Sequence, residues 1–289
     1  MAEAPKMYSV PATEYSFATL ANLVNTAFEG YIGTVISCNA KDLEQWFPAN
    51  YVAPAISHII HFSEPAETKE PVAFGVLSAR DDRPGEIRLT SMGVIPAFQG
   101  KGTGSKALQL VIDAERKRGT RLLELECIQQ NERGVKLYTR AGFTKHRELW
   151  GWQKTAASSA APVQNPDLQQ CSVEEVDAIL SAHAAPDLPW QARGMVKLAG
   201  VGYRLGHAYC ALQEPKDGSD TVFVMCLIVE PEWRRKGEGR RLAEAILAKY
   251  PDKKIVAKPQ FPRENGEEFA KALGAEVIEL KQYQMRLEL

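Results

Sequence analysis

Apolar residues in the first half of the chain recur either at helical spacing or in short β-rich runs. Phe17, Leu20, Leu23, Val24 and Phe28 lie on one face of a helix, whereas runs rich in β-branched and aromatic residues between turn signals indicate strands. The predicted helices are 15–28, 42–47, 107–118 and 132–140, and the predicted strands are 56–62, 72–78, 86–95, 121–128 and 144–152. This order predicts a mixed α/β domain with a central sheet flanked by helices.

The second half shows a shorter version of the same pattern. Its predicted helices are 173–182, 242–248 and 266–273, and its predicted strands are 203–212, 222–229, 255–258 and 276–287. Between the halves, residues 155–166 are small, contain proline and have no periodicity, which is typical of a linker. We therefore predict a first domain over 1–154 and a second domain over 167–289.

An internal repeat indicates that the two halves share one fold. Residues 94–104 read VIPAFQGKGTG, and residues 229–239, at a constant offset of 135, read VEPEWRRKGEG. The apolar positions that follow also coincide, with Val111 and Ile112 matching Ile246 and Leu247. The fold class predicted for the whole chain is two related α/β domains, each a mixed central β-sheet flanked by helices.

Composition narrows the class of protein. There are 35 Lys and Arg against 36 Asp and Glu, so no overall field favours nucleic acid or an anionic membrane. No apolar run approaches the roughly 20 residues of a membrane helix, and the first residues lack the apolar core of a secretory signal. The five cysteines show no pairing pattern, which predicts reduced thiols, no zinc site and a cytoplasmic location.

A glycine-rich loop at 100–104 separates a predicted strand from a predicted helix. Glycine allows close approach of backbone N–H groups to a ligand, and a helix N-terminus favours an anion, so the expected ligand is a phosphate or pyrophosphate. A P-loop does not fit, because Lys106 follows Ser105 here instead of preceding it. A dinucleotide fingerprint fits the spacing from Gly102 to Ala107 but usually opens its domain, whereas about 90 residues precede it here. Coenzyme A is the third candidate ligand for this loop.

The motif and its context resemble the GNAT superfamily of acetyl-CoA-dependent N-acetyltransferases. The residues that carry the resemblance are Gln99-x-x-Gly102-x-Gly104 behind a strand, and then the run from Asn131 through Tyr138 to Gly142-Phe143. The resemblance covers most of 7–154 and, more weakly, 167–289. It implies acetyl-CoA as cofactor, bound by Met92, Gly93, Val94, Gln99, Gly100, Lys101, Gly102, Thr103, Gly104, Ser105, Asn131 and Tyr138.

The resemblance also implies a mechanism. Tyr138 is expected to protonate the leaving thiolate, and backbone N–H groups near Gly93 and Val94 to bind the oxyanion. An amine needs a base or a water chain to remove its proton. The candidates are Glu86, at the start of the predicted strand 86–95, and Glu124 and Glu126, which alternate with apolar residues and so share one face of the predicted strand 121–128. A salt bridge or a solvated strand face is the alternative role for these acids.

The second half departs from the pattern. Aligned on Gly274 and Gly142, Tyr138 corresponds to Ala270 and Asn131 to Arg263, so the second domain is expected to be a degenerate copy. The predicted activity is acetylation of an amine on a small molecule by the first domain. A protein α-amino or lysine acetyltransferase and a non-catalytic acyl-CoA-binding module remain the alternatives. Phe28, Tyr31, Trp46 and Tyr51 are candidates for the wall of a substrate pocket or for helix packing.

Overall fold

The computed structural model describes residues 6–33, 36–63, 70–155, 165–215 and 219–289. The predicted linker at 155–166 therefore lies almost wholly outside the described residues. The chain divides into two compact units: Met1–Arg147 with Tyr283–Leu289, and Glu148–Gln282.

Among its described residues, the first unit contains six strands of one sheet and four α-helices, and the first part of β6 (Thr144–Thr155) also belongs to it. The strands are β1 Met7–Pro11, β2 His58–Phe62, β3 Ala73–Ala79, β4 Glu86–Val94, β5 Leu122–Ile128 and β13 Gln282–Glu288, and the sheet follows this order. The helices are α1 Phe17–Ala27, α2 Ala40–Ala49, α3 Thr103–Arg118 and α4 Glu132–Arg140. Strands β1 to β4 pair antiparallel, whereas β4 and β5 are parallel because α3 carries the chain back between them.

Helices cover both faces of this sheet. On one face, α3 and α4 contact apolar residues of β3, β4, β5 and β13, including Leu89, Leu123 and Leu125. On the other face, α1 and α2 contact Phe74 and Val76 of β3. Side chains alternate along a strand. The residues that alternate with the apolar positions facing α3 and α4 therefore point to the side of α1 and α2.

The second unit repeats this arrangement. Its strands are the second part of β6 (Thr144–Thr155), β7 Gln169–Cys171, β8 Val201–Leu205, β9 Ala208–Gln213, β10 Thr221–Val229, β11 Lys254–Pro262 and β12 Glu276–Val277. The sheet order is β6-β11-β10-β9-β8-β7, with β12 beside β6 and a parallel pair at β10 and β11. The helices are α5 Val173–His183, α6 Trp190–Gly194, α7 Glu238–Lys249 and α8 Arg263–Ala272.

The unit boundaries differ from the predicted domain boundaries at both places where the chain passes from one unit to the other, after Arg147 and after Gln282. Residues 149–155 pair antiparallel with β11, which places them in the second unit. Conversely, Met285 and Leu287 of β13 are buried in the core of the first unit. The last strand of the chain therefore completes the first sheet, although sequence order suggested that it closes the second.

Three local predictions were wrong. The predicted strand 203–212 is a hairpin of β8 and β9, which turns at Gly206 with φ 59°. The predicted strand 276–287 is interrupted and forms β12 and β13. The prediction for 107–118 omitted the first turn of α3, because the one glycine and three polar residues at 103–106 lack apolar periodicity.

Candidate active site

The loop after β4 is an open cradle of backbone N–H groups. Gly100 and Gly102 have φ of 73° and 80°, and Gly102 is the N-cap of α3 without any side-chain cap. A Cβ atom added at either glycine meets nothing within 4 Å, so the space before the loop is free. The first N–H groups of α3 are thus available to an anion, and the helix dipole favours one there.

Side chains of the loop stabilise its own conformation. Gln99 Nε2 donates to Val94 O at 2.9 Å, and Lys101 Nζ donates to Ala97 O at 2.9 Å. Because these side chains bind the loop, its contact with a pyrophosphate is expected through backbone N–H groups. This arrangement fits coenzyme A.

Strands β4 and β5 diverge next to the loop. They pair only at Glu86–Leu122, Ile87–Leu123 and Arg88–Glu124, although both strands continue further. A β-bulge interrupts the pairing of β4 with β3 between Leu89 and Ser91. We call the gap between residues 89–94 of β4 and 125–128 of β5 the wedge. Its unpaired strand edges offer backbone groups to an extended ligand, in the manner of an added strand.

Helix α4 places two of the predicted residues beside the end of β5. Asn131 is its N-cap: Oδ1 accepts from Gly134 N at 3.0 Å, and Nδ2 donates to Tyr31 Oη at 3.4 Å. Tyr138 lies against Phe143, with ring centroids 5.8 Å apart. Burial, and secondarily Cys127 and Tyr31, raise the pKa of Tyr138, so its hydroxyl keeps its proton at neutral pH.

The three candidate carboxylates have different environments. Glu86 binds Arg121 at 2.6 Å and Arg83 at 2.7 Å at the start of β4, away from the wedge. Glu124 is buried, and both its oxygens are occupied, by Gln284 Nε2 at 2.5 Å and Arg286 Nε at 2.7 Å. These contacts fit the salt-bridge alternative for Glu86 and Glu124.

Glu126 is the carboxylate with an uncommitted oxygen. Its Oε2 accepts from Arg88 Nε at 2.7 Å, and its Oε1 is buried without a hydrogen-bond partner among the described residues. Burial raises the pKa of Glu126, although the charge of Arg88 opposes the shift. A buried carboxyl with a raised pKa beside a cleft is a candidate general base.

Sequence reasoning missed Arg88. The signal was present, because Arg88 alternates with Ile87 and Leu89 on a strand and so lies on the same side of the sheet as Glu126. Of the four aromatic residues suggested for a pocket wall, Tyr31 contacts Asn131. Trp46 and Phe28 contact the α1/α2 core, and Tyr51 lies beneath the guanidinium of Arg80.

A model of the Acetyltransferase (GNAT) family matches residues 21–143, which include the cradle, the wedge and α4. This region is a GNAT acetyltransferase domain. The match confirms, for this domain, the predicted family, the acyltransferase class and acetyl-CoA as the cofactor.

Solved structures confirm the fold class over the whole chain. The tandem GNAT protein from the clavulanic acid biosynthesis pathway is 14% identical and has a TM-score of 0.64, with 99% of this chain and 98% of that chain covered. A GCN5-related N-acetyltransferase from Sphaerobacter thermophilus is 12% identical, with a TM-score of 0.62 over 98% and 95% of the two chains. At such identities these similarities concern the fold alone.

One curated relative has a local sequence match. It is an uncharacterized N-acetyltransferase of Methanocaldococcus jannaschii, 34% identical over 59 residues, which are 20% of this chain. The match spans about a quarter of that relative's length, 26%.

The second unit keeps the cradle. Arg235 and Gly237 have φ of 61° and 86°, like Gly100 and Gly102, and Arg234 Nε donates to Val229 O at 2.9 Å, as Gln99 does to Val94. Strands β10 and β11 also pair over only three positions before they diverge. The loop conformation is therefore retained in both units.

The second unit lacks the chemical groups of the GNAT domain. Ala270, at the position of Tyr138, is buried and has no hydroxyl. Phe223 and Lys258 occupy the positions of Arg88 and Glu126, with Lys258 Nζ 4.4 Å from the Phe223 ring centroid. Neither the acid nor the carboxylate of the first unit has a counterpart here.

No three His, Cys, Asp or Glu side chains in the described ranges are grouped so as to hold a metal ion. No helix in the described part of the chain is long and apolar enough to cross a membrane.

Proposed function

We propose that the protein is an acetyl-CoA-dependent N-acetyltransferase that acetylates an amine on a small molecule by direct attack on the thioester. The observation that carries this proposal is the position of Glu126. Its uncommitted, buried Oε1 lies on β5 just past the point where β4 and β5 diverge, and the cradle lies at the other end of the same wedge. A proton acceptor and an anion site are thus joined by one cleft.

The chain's own backbone supplies the binding site for acetyl-CoA. N–H groups from Gln99 to Ser105 bind the pyrophosphate, and the unpaired edge of β4 from Met92 to Val94 pairs with the pantetheine arm. Asn131 offers the second hydrogen of Nδ2 at the start of α4. When bound, acetyl-CoA supplies the acetyl thioester.

Glu126 accepts the proton that the amine must lose. Once the ammonium has lost its first proton to Glu126 Oε1, the nitrogen lone pair forms the new C–N bond and the C–S bond breaks. The second proton of the nitrogen replaces, directly or through water, the proton that Tyr138 gives to the thiolate. Glu124 is less suited, because Gln284 and Arg286 occupy both of its oxygens. Glu86 is less suited because two arginines bind it at the far end of β4.

Tyr138 donates the proton that the leaving thiolate takes up. Its raised pKa keeps the hydroxyl protonated, and it lies on the helix that begins at Asn131. Residues Glu126 and Tyr138 thus divide the two proton transfers between a base and an acid.

Burial of the base supports a compact acceptor. The side chains of Glu126 and Arg88 are 4% and 5% exposed, so an acceptor must leave bulk water to reach them. We expect a small amine to do so at lower cost than the main chain of a folded protein.

A panel of amines with acetyl-CoA tests the function. Thiol release and the mass of the product are measured for small amines, for peptides with a free α-amine and for lysine peptides. Turnover of small amines that is lost in Glu126→Gln supports the proposal. Turnover of peptides alone would favour a protein acetyltransferase, and tight acetyl-CoA binding without turnover of any amine would favour a binding module.

A further inference from the structure

The ion pair of Arg88 and Glu126 leaves one polar atom of each residue unused. Arg88 Nε and Glu126 Oε2 make the 2.7 Å contact, while Arg88 Nη1 and Glu126 Oε1 are both buried without a hydrogen-bond partner among the described residues. The pair therefore retains one cationic donor and one anionic acceptor, both shielded from solvent.

Buried polar atoms of this kind are normally hydrogen-bonded. A buried donor or acceptor that makes no hydrogen bond keeps its full desolvation cost, which is larger when the group is charged. Native proteins rarely keep such atoms without a bound water, an ion or a ligand. Here Arg88 Nη1 needs an acceptor and Glu126 Oε1 needs a donor. Together they indicate a ligand that offers both an N–H donor and an anionic acceptor.

The fold itself does not require this ion pair. The second unit has the same parallel strand pair, and it places Phe223 and Lys258 at the two positions. A buried ion pair is weak evidence for stability in any case, since apolar replacements are often neutral or stabilising. The first unit's arginine and glutamate are thus candidates for recognition.

Their location agrees with this role. Arg88, opposite Glu124, is the last residue of β4 that pairs with β5, and Glu126 lies two residues further along β5, at the apex of the wedge. The other charged group nearby, Glu124, is already neutralised by Arg286. The two neighbouring carboxylates on this face have other partners: Glu124 binds Gln284 and Arg286, and Glu86 binds Arg83 and Arg121.

We propose that the acceptor is an amine that also carries a carboxylate, such as a free amino acid. Its carboxylate binds Arg88 Nη1, and its amine donates to Glu126 Oε1. A guanidinium prefers a carboxylate to a neutral acceptor because a charge-assisted hydrogen bond is stronger. This inference rests on the proposed function, whose base it shares.

The test uses matched amines with the full-length protein. Each of the twenty standard L-amino acids is compared with its amide and with the amine produced by its decarboxylation, and kcat and KM are measured with saturating acetyl-CoA. For the best amino acid, we expect kcat/KM to exceed that of both analogues by roughly 10- to 100-fold, mainly through KM. Equal kcat/KM across the matched series would overturn the proposal.

Variants of Arg88 separate recognition from base strength. Arg88→Gln also changes the surroundings of Glu126, but this effect is common to all substrates and cancels in the ratio of amino acid to decarboxylated amine. We expect that ratio to fall to near one in Arg88→Gln, to recover partly in Arg88→Lys, and to be unchanged in Arg116→Gln on the exposed side of α3. If the ratio of amino acid to decarboxylated amine is unchanged in Arg88→Gln, Nη1 binds only a water and the proposal fails.

Calorimetry provides a measurement that does not depend on turnover. The preferred amino acid is titrated into wild-type protein and Arg88→Gln in the presence of coenzyme A, with a melting curve to confirm that each protein is folded. If no amine is acetylated but the amino acid binds in an Arg88-dependent way, the proposed function fails while the binding site stands. If amines are acetylated and no amino acid binds, the carboxylate proposal fails and the function stands.

Discussion

Arg286 Nε lies 2.7 Å from Glu124 Oε2, although 162 positions separate the two residues in the sequence. Gln284 of the same strand binds the other carboxylate oxygen. Between them, Met285 points to the opposite face and is fully buried with Leu123 and Leu125. The final strand is therefore part of the first unit, both in its apolar core and in its polar layer.

The stability of the GNAT domain should depend on this strand. We expect Met285→Ala to lower the free energy of unfolding by about 2–5 kcal/mol, as large-to-small changes in a buried core do. The exposed Glu288→Ala on the same strand is the matched control. Denaturant unfolding measures both, and equal stabilities would show that the strand is dispensable. A fragment of residues 1–155 lacks the strand and should express poorly.

Replacement of Tyr138 by Phe should separate catalysis from binding. The ring and its contact with Phe143 remain, whereas the proton donor is lost. We expect kcat to fall by roughly 10²–10⁴ and the Kd for coenzyme A to change little. Steady-state rates and a melting curve measure the two effects. An unchanged kcat would leave solvent as the donor to the thiolate.

Replacement of Glu126 by Gln should remove the acid limb of the pH profile. Burial holds the pKa of Glu126 above its ordinary value of 4.5, so kcat/KM should fall as the pH decreases through that raised pKa, where the base becomes protonated. Glu126→Gln should reduce kcat by roughly 10²–10⁴ and abolish this limb. Glu86→Gln, at the start of β4 and away from the wedge, is the control, and a larger loss in that variant would move the base to Glu86.

One tight coenzyme A site per chain is expected. Gly102→Asp places a carboxylate, and a strained positive φ, in the cradle of the first unit and should abolish binding. Gly237→Asp is the matched change in the second unit and should leave the site of the first unit intact. Calorimetry gives the stoichiometry of each protein. Two equivalent sites would mean that the second unit binds the cofactor as well. Binding that survives in Gly102→Asp but not in Gly237→Asp would place the site in the second unit.

His58 should make stability depend on pH. Burial, with a smaller effect from Arg118, lowers the pKa of His58 from 6.5 to about 4. Between these values the unfolded chain binds the additional proton, so the stability that is present above pH 6.5 is lost as the pH falls towards 4. Denaturant midpoints measured from pH 4 to 7 should fall less steeply in His58→Gln than in wild type. Parallel curves would assign the acid sensitivity to other groups.

The local sequence pattern was sufficient to predict most of the helices and strands of the first unit. The predicted helix 132–140 matches α4, and the predicted strand 121–128 matches β5 to within one residue. Both segments combine clear periodicity with glycine or polar boundaries, so local and tertiary preferences agree. The five-residue β1 was given no range and helix α6 was missed, because short segments carry too little periodicity to be separated from loops.

The sequence by itself determined the two copies of one fold, the cradle at 99–104, the family motif around Asn131 and Tyr138, and the shared face of Glu124 and Glu126. These features depend on residues that are close together in the chain. Only the tertiary structure decided that the last strand joins the first sheet, and that Gln284 and Arg286 occupy Glu124 while Glu126 keeps a free oxygen beside Arg88. Strand pairing and burial bring together residues far apart in sequence, and a carboxylate's pKa and available oxygens depend on those neighbours, which no local pattern specifies.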